Sequence, residues 1–251
     1  MLRAFGDGSL FGSRTGTGEP VVLALHGWGR THHDFDAVLR GSRPLDAIAV
    51  DLPGFGATPP PPEAWGAAQY AGCVAPVLDE MGVPVVVLAH SFGGRVAVHL
   101  AVARPDAVRA VVLTGVPLLR VAPARRPAAW FRLVRRLHRA GLVGDARMEA
   151  ARVRYGSADY RAAQGVMRQV HVRAVNETYE RELDAIDCPV TLLWGDDDTA
   201  VPVAVAQAAL ERLRRGRAGE RARLELCHGV GHMLPLSSPL ELRAAVEEYL
   251  R

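Results

Sequence analysis

Short runs of Val, Leu and Ala recur along the chain at Val21–Leu25, Ala47–Val50, Pro84–Ala89, Ala110–Thr114 and Val190–Trp194. Each is almost continuously apolar and stops at Gly, Pro or a polar residue. Continuous rather than alternating hydrophobicity predicts strands covered on both faces, as in a parallel sheet. Helix-like text separates them at Thr31–Arg40, Trp65–Met81, Phe92–Ala103 and Val203–Arg214. Pro239–Leu250 closes the chain as a Pro-initiated amphipathic helix. Arg3–Phe5 and Leu10–Arg14 read as a leading hairpin, and Leu224–Cys227 as the last strand. Strands alternating with helices predict the α/β class, with a mostly parallel, doubly wound sheet and right-handed crossovers.

One region breaks the rhythm. Between Leu118 and Ile186 no apolar strand appears, only Arg-rich helical text with Trp130, Phe131, Tyr155, Tyr160 and Met167. The expected organisation is a core of residues 1–117 and 187–251. Residues 118–186 would form a helical lid, inserted between two late strands and covering the carboxyl ends of the sheet.

Composition narrows the class. With 251 residues, 49% hydrophobic and 23% charged, the chain is neither disordered nor fibrous. No run reaches the ~18–20 apolar residues of a membrane span. The first residues, MLRAFGDGSLFGSRTG, hold no apolar segment of the secretory type. A soluble cytoplasmic protein is expected, without stable membrane insertion. Three scattered cysteines, Cys73, Cys188 and Cys227, fit reduced thiols better than disulfides or a zinc site. All 30 basic residues are Arg, which removes any Lys nucleophile, Schiff base or phosphate-loop Lys. The net charge of +3 is uneven. Residues 118–185 hold 14 Arg against 7 acids, leaving the rest of the chain at 16 against 20.

The segment Val85-Val-Val-Leu-Ala-His90-Ser91-Phe92-Gly93-Gly94 carries the strongest chemical signal. A strand runs into a helix through a tight turn bearing a Ser. There the hydroxyl points out of the sheet, and helix N–H groups can meet a developing oxyanion. The plain alternative is a Ser capping a helix. Ala89-His90-Ser91-Phe92-Gly93 resembles the nucleophile elbow G-x-S-x-G of α/β-hydrolases, with Ala for the first Gly. Further segments resemble the same family: His26-Gly27-Trp28-Gly29, Asp51-Leu-Pro-Gly54-Phe-Gly56, Gly195-Asp196-Asp197-Asp198-Thr-Ala-Val201-Pro202 and Gly229-Val230-Gly231-His232. They lie in family order across almost the whole chain.

This resemblance implies the α/β-hydrolase fold and a Ser91, Asp198, His232 triad, in the nucleophile–acid–base order of that fold. The family spacing selects Asp198, leaving Asp196 and Asp197 as turn formers; a cation bound by the three carboxylates is the alternative. His232 ends the family's G-x-G-H, with His228 as the alternative base. The backbone N–H groups of Trp28 and Phe92 would form the oxyanion hole. His26 is expected to brace its loop, and Asp51 to be structural. The remaining histidines, His32, His33, His99, His138 and His171, read as solvated or satisfied.

The expected activity is that of a small lidded carboxylesterase acting on a small-molecule ester, with no cofactor, metal or nucleic-acid partner, as monomer or homodimer. A Ser at the elbow argues against the dehalogenase and epoxide hydrolase branches, whose nucleophile is an Asp. C–C bond hydrolysis, a menaquinone-pathway lyase and thioesterase action share the triad, and a non-catalytic binding module is the remote alternative. Within the lid, Arg125 and Arg126 add to its basic charge, and Arg132, Arg135, Arg136 and Arg139 follow helical spacing on one face. They read as a solvated face, or as attraction for an anionic substrate or membrane surface. Trp130, Phe131, Leu133 and Leu137 are expected to line the lid's apolar side.

Overall fold

The computed structural model describes residues 1–41, 43–121, 129–155 and 157–251, without the side chains of Ala129, Phe131, Arg152 and Tyr155. Eight strands form one sheet in the order β1-β2-β4-β3-β5-β6-β7-β8. They are β1 (Arg3–Phe5), β2 (Leu10–Thr15), β3 (Val22–Leu25), β4 (Ala47–Asp51), β5 (Val85–His90), β6 (Val108–Thr114), β7 (Val190–Gly195) and β8 (Ala222–Cys227). The six strands from β3 onward are mutually parallel, and the leading hairpin β1–β2 joins antiparallel to β4.

The predicted strands all form, with ends moved by one or two residues. Strands β3 to β7 are buried almost throughout because helices cover both faces, whereas the outer strands β1, β2 and β8 are partly exposed. Alternate residues choose the face: Leu23, Leu25, Val85, Val87, Val111 and Leu113 belong to one core. Val22, Ala24, Val86, Leu88 and Val112 belong to the other.

Eleven α-helices complete the described chain: α1 (Asp36–Arg40), α2 (Ala67–Met81), α3 (Phe92–Ala103), α4 (Ala129–Arg139), α5 (Asp145–Tyr155), α6 (Ala158–Ala162), α7 (Gly165–Ala174), α8 (Glu180–Ala185), α9 (Val203–Arg215), α10 (Leu234–Ser237) and α11 (Pro239–Glu247). Helices α2, α3, α8 and α9 pack on the first core. Helices α1, α10 and α11 pack on the second. Three expected helices are shorter than predicted, α2 starting at Ala67 rather than Trp65. Thr31–Arg40 begins with a 3-10 turn at His32–Phe35 before α1, and α11 stops at Glu247. The cysteines are free thiols, and burial raises the pKa of Cys188 to about 11, which keeps it protonated and inert.

Helices α4–α8 fill the segment between β6 and β7. Several side chains from it reach the loops that follow the strands. Met167 closes on Gly54, where an added Cβ would lie 2.2 Å from its sulfur. His171 meets the Trp28 ring edge-on at 4.9 Å. Glu177 accepts the Ala67 N–H at the start of α2 (3.1 Å).

The apolar side of α4 differs from expectation. Trp130 and Leu133 are 58% and 46% exposed, and Val134 is the buried residue, packed with Met148 and Ala151 of α5. The reason is geometric: α4 pairs with one thin helix, so only a narrow stripe is covered. Leu137 is half-buried; the Phe131 side chain, Arg125 and Arg126 lie outside the described residues. Among the described residues, no helix is long and apolar enough to cross a membrane.

Candidate active site

Ser91 sits between β5 and α3 with φ +48° and ψ −111°. A non-glycine residue held there stores strain, of order 1–3 kcal/mol, and persists only where the surroundings enforce it. They do. The Ser91 N–H donates to the Thr114 carbonyl (2.9 Å), Gly93 N–H to the His26 carbonyl (3.0 Å), and Gly94 N–H to Ser91 (3.1 Å).

The glycines explain why the elbow tolerates Ala89 but not a side chain at 93. A Cβ on Gly93 would lie 2.2 Å from the Leu25 carbonyl oxygen and 2.6 Å from that of His26. Backbone oxygens at the end of β3 cannot retreat without breaking the sheet. Ala89 is a buried strand residue and fits. We expect Gly93→Ala to destabilise the fold by about 3 kcal/mol or more. Chemical denaturation measures this, and an unchanged midpoint would refute the close-approach account.

The turn after β3 is held by His26. Leu52 N–H donates to its Nε2 (2.9 Å), so Nδ1 carries the proton and donates to the Gly27 carbonyl (2.7 Å). Burial pushes the His26 pKa down to about 4. Trp28 follows, its ring edge-on to Phe55 (5.0 Å) and Phe92 (5.3 Å). Phe92 is the first residue of α3, where a helix N–H has no intrahelical acceptor. Asp51 is buried and accepts from His32 N–H (2.8 Å), His32 Nδ1 (2.8 Å) and Ala57 N–H (2.9 Å), so it ties loops together.

At the ends of β7 and β8 the three carboxylates part company. Asp198 is buried; its Oδ1 accepts from the N–H groups of Ala200 (2.9 Å) and Val201 (2.8 Å), and its Oδ2 from His232 Nδ1 (2.8 Å). Asp196 instead takes the exposed His228 (2.8 Å) and the Gly229 N–H (2.8 Å). Asp197 is exposed. Opposed partners of this kind do not make a shared cation site. Nδ1–H donation to Asp198 leaves Nε2 of His232 as its basic atom. Close approach of backbones sets this pair: a Cβ on Gly195 would lie 2.1 Å from the Val230 carbonyl oxygen.

Ser91 and His232 both adjoin the end of β6. Thr114 accepts the Ser91 N–H, and the His232 imidazole lies 2.9 Å from where a Cβ on the next residue, Gly115, would stand. His90 joins them, a residue the sequence left as a variable elbow position. Its Nε2 donates to the His232 carbonyl (3.0 Å), and the two rings lie 4.8 Å apart. Burial, with the nearby His232, lowers the His90 pKa to about 4, and its Nδ1 is buried without a hydrogen-bond partner. His171, expected to be solvated or satisfied, is half-buried, and its Nδ1 has no hydrogen-bond partner among the described residues. Neither signal exists in sequence, because both depend on segments far apart along the chain.

Two buried neutral histidines make stability depend on acid. Their folded pKa values lie below the unfolded value near 6.5, so the unfolded chain binds more protons in between. Stability therefore falls as pH drops from about 6.5 towards 4, by roughly 1.4 kcal/mol per unit for each histidine. Urea unfolding at pH 7 and 5 reads this. For His26→Gln the loss should be smaller than in the wild type by about 2 kcal/mol. Equal losses would remove His26 as the source.

The layered sheet, the strained elbow and the buried Asp198–His232 pair at its carboxyl end define a hydrolase-type α/β fold. A family model described as the alpha/beta hydrolase family matches residues 21–245, and the chain belongs to that family. A pimeloyl-[acyl-carrier protein] methyl ester esterase of Neisseria meningitidis is 29% identical over 222 residues, 78% of this chain and 67% of that protein. Epoxide hydrolase 1 of Siraitia grosvenorii is 37% identical over 46% of this chain. The chain spans well under half of several curated relatives it matches: 38% of that epoxide hydrolase and 28% of an acetoin-cleaving acetyltransferase component from Cupriavidus necator. Among solved structures, a thermophilic esterase from Thermogutta terrifontis superposes with TM-score 0.68 at 20% identity, covering 100% of this chain and 98% of that one.

Proposed function

We propose that the protein is a serine hydrolase cleaving carboxylic esters of small to medium substrates. Ser91 attacks the carbonyl carbon while His232 Nε2 takes its proton. Asp198 holds the imidazole in the required tautomer and stabilises the imidazolium. The N–H groups of Trp28 and Phe92 receive the oxyanion. The imidazolium then gives its proton to the departing alcohol, and a water deprotonated by His232 releases the acid from the acyl-Ser91 ester. Residues 118–186 act as the lid over this site. No step calls for a metal or cofactor.

The observation that carries this reading is the full commitment of the Asp198 carboxylate. One oxygen is fixed by two backbone N–H groups, and the other orients His232. Similarity to a methyl ester esterase over most of the chain supports ester cleavage. Epoxide opening fits Ser91 poorly, whatever the shared fold. A serine alkoxide would form a stable ether with the epoxide carbon, whereas a carboxylate nucleophile forms an ester that water can cleave.

A fluorophosphonate probe tests the reading by intact mass. A single adduct is expected on the wild type and none on Ser91→Ala. Folded wild type that takes no adduct would overturn the assignment of Ser91 as an activated nucleophile.

A further inference from the structure

The segment between β6 and β7 encloses a cavity of about 400 Å³. It is lined by Arg135, His138 and Arg139 of α4, Met148 of α5, Tyr160 of α6 and His171 of α7. That volume lies in the range of small-molecule sites.

Its charge is lopsided. Several described Arg side chains elsewhere hold a carboxylate, among them Arg30, Arg104, Arg168, Arg212 and Arg221. Arg135 and Arg139 have none among the described residues. Among the nearby acids, Asp145 takes His138 (2.8 Å), and Glu149 takes Arg168 (2.9 Å) and the Tyr160 hydroxyl (2.5 Å), while the exposed Asp159 of α6 acts electrostatically on His171. Two exposed guanidiniums thus share the cavity wall with half-buried His171, whose Nδ1 is buried and has no hydrogen-bond partner among the described residues.

A chain of ring contacts links the cavity wall to the candidate chemistry. The His171 ring that lines it packs on Trp28, and Trp28 packs on Phe92 beside Ser91.

We infer that this cavity receives an anionic group, a carboxylate or a phosphate, carried by the substrate at the end remote from the scissile carbonyl. Arg135 and Arg139 pair with its oxygens, and His171 is the polar contact nearest the reacting end. The inference rests on the ester-hydrolase reading and gives that site its substrate class. Guanidinium forks suit planar or tetrahedral oxyanions, and such charge-assisted bonds are the strong ones.

Two esters of equal acyl length test it: p-nitrophenyl pentanoate, and the mono-p-nitrophenyl ester of glutarate, which ends in a carboxylate. The wild type should favour the charged ester in kcat/KM by at least about tenfold. Added salt should erode that preference. The ratio should fall to about one in the Arg135→Ala/Arg139→Ala double variant and stay high in Arg215→Ala, whose guanidinium pairs with Glu211 on α9. A ratio near one in the wild type, or an undiminished ratio in the double variant, overturns the inference. Competition by free glutarate against inorganic phosphate then separates the two sources of charge. If neither ester is turned over, the hydrolase reading fails by itself. The cavity is then tested by glutarate or phosphate raising Tm in the wild type but not in the double variant; no rise in either overturns it.

Discussion

Ser91→Ala is expected to lower kcat on an activated ester by about 10⁵- to 10⁶-fold and to leave Tm within a degree or two. Removing the hydroxyl takes away the only oxygen at the elbow able to form the acyl intermediate. The Cβ remains, and with it the backbone strain at φ +48°. Ser91→Gly separates the two roles of the position. It should be equally inactive, yet more stable by about 1 kcal/mol, since release of 1–3 kcal/mol of strain exceeds the entropy glycine adds. Initial rates and urea unfolding on the three proteins decide this. Activity persisting in either variant would remove Ser91 as nucleophile, and a Ser91→Ala chain that fails to fold would make it structural.

Asp198→Asn is expected to cost about 10⁴-fold in kcat with little change in KM. The reason lies in which oxygen does what. The Asn carbonyl must keep accepting the Ala200 and Val201 N–H groups, which leaves its NH₂ facing His232 Nδ1. A donor there forces Nδ1 to accept. The imidazole proton moves to Nε2, and the base facing Ser91 is lost. Asp197→Asn, altering an exposed carboxylate of the same cluster, should change the rate less than twofold. The reverse order of damage would mean that the wrong carboxylate had been chosen.

Legibility was uneven between core and insertion. The central strands of the sheet were readable because burial on both faces demands continuous Val, Leu and Ala over a run too short for a typical helix. The absence of a strand among the described residues of the insertion followed from the same rule, whereas the leading hairpin and β8 are partly exposed and carried a weaker signal. His26 was readable as a brace through the family resemblance of its turn, while the Leu52 N–H that locks it comes from another loop. The apolar side of α4 was misjudged because amphipathic spacing gives a stripe but not the width of the partner that will cover it. Trp130 and Leu133 are left in water by a single neighbour, α5.

Local chemistry along the chain was enough to specify an α/β layering, a turn that strains one Ser, and a loop that ends in His232. Each has a local signature, small side chains where backbones touch and apolar runs where helices cover, although the strain at Ser91 is held by bonds to Thr114 and His26. The family spacing singled out Asp198 and His232, and three-dimensional packing supplied their partners. It turned Asp198 inward to His232 and Asp196 outward to His228, because the β7 and β8 ends meet at Gly195 with no room for a side chain. It set His90 against His232 and His171 against Trp28, contacts between segments tens of residues apart or more. And it gathered Arg135, Arg139 and His171 around one cavity. A run of arginines carries charge in any conformation, but only the packing of α4, α5 and α7 decides whether that charge faces solvent or a ligand.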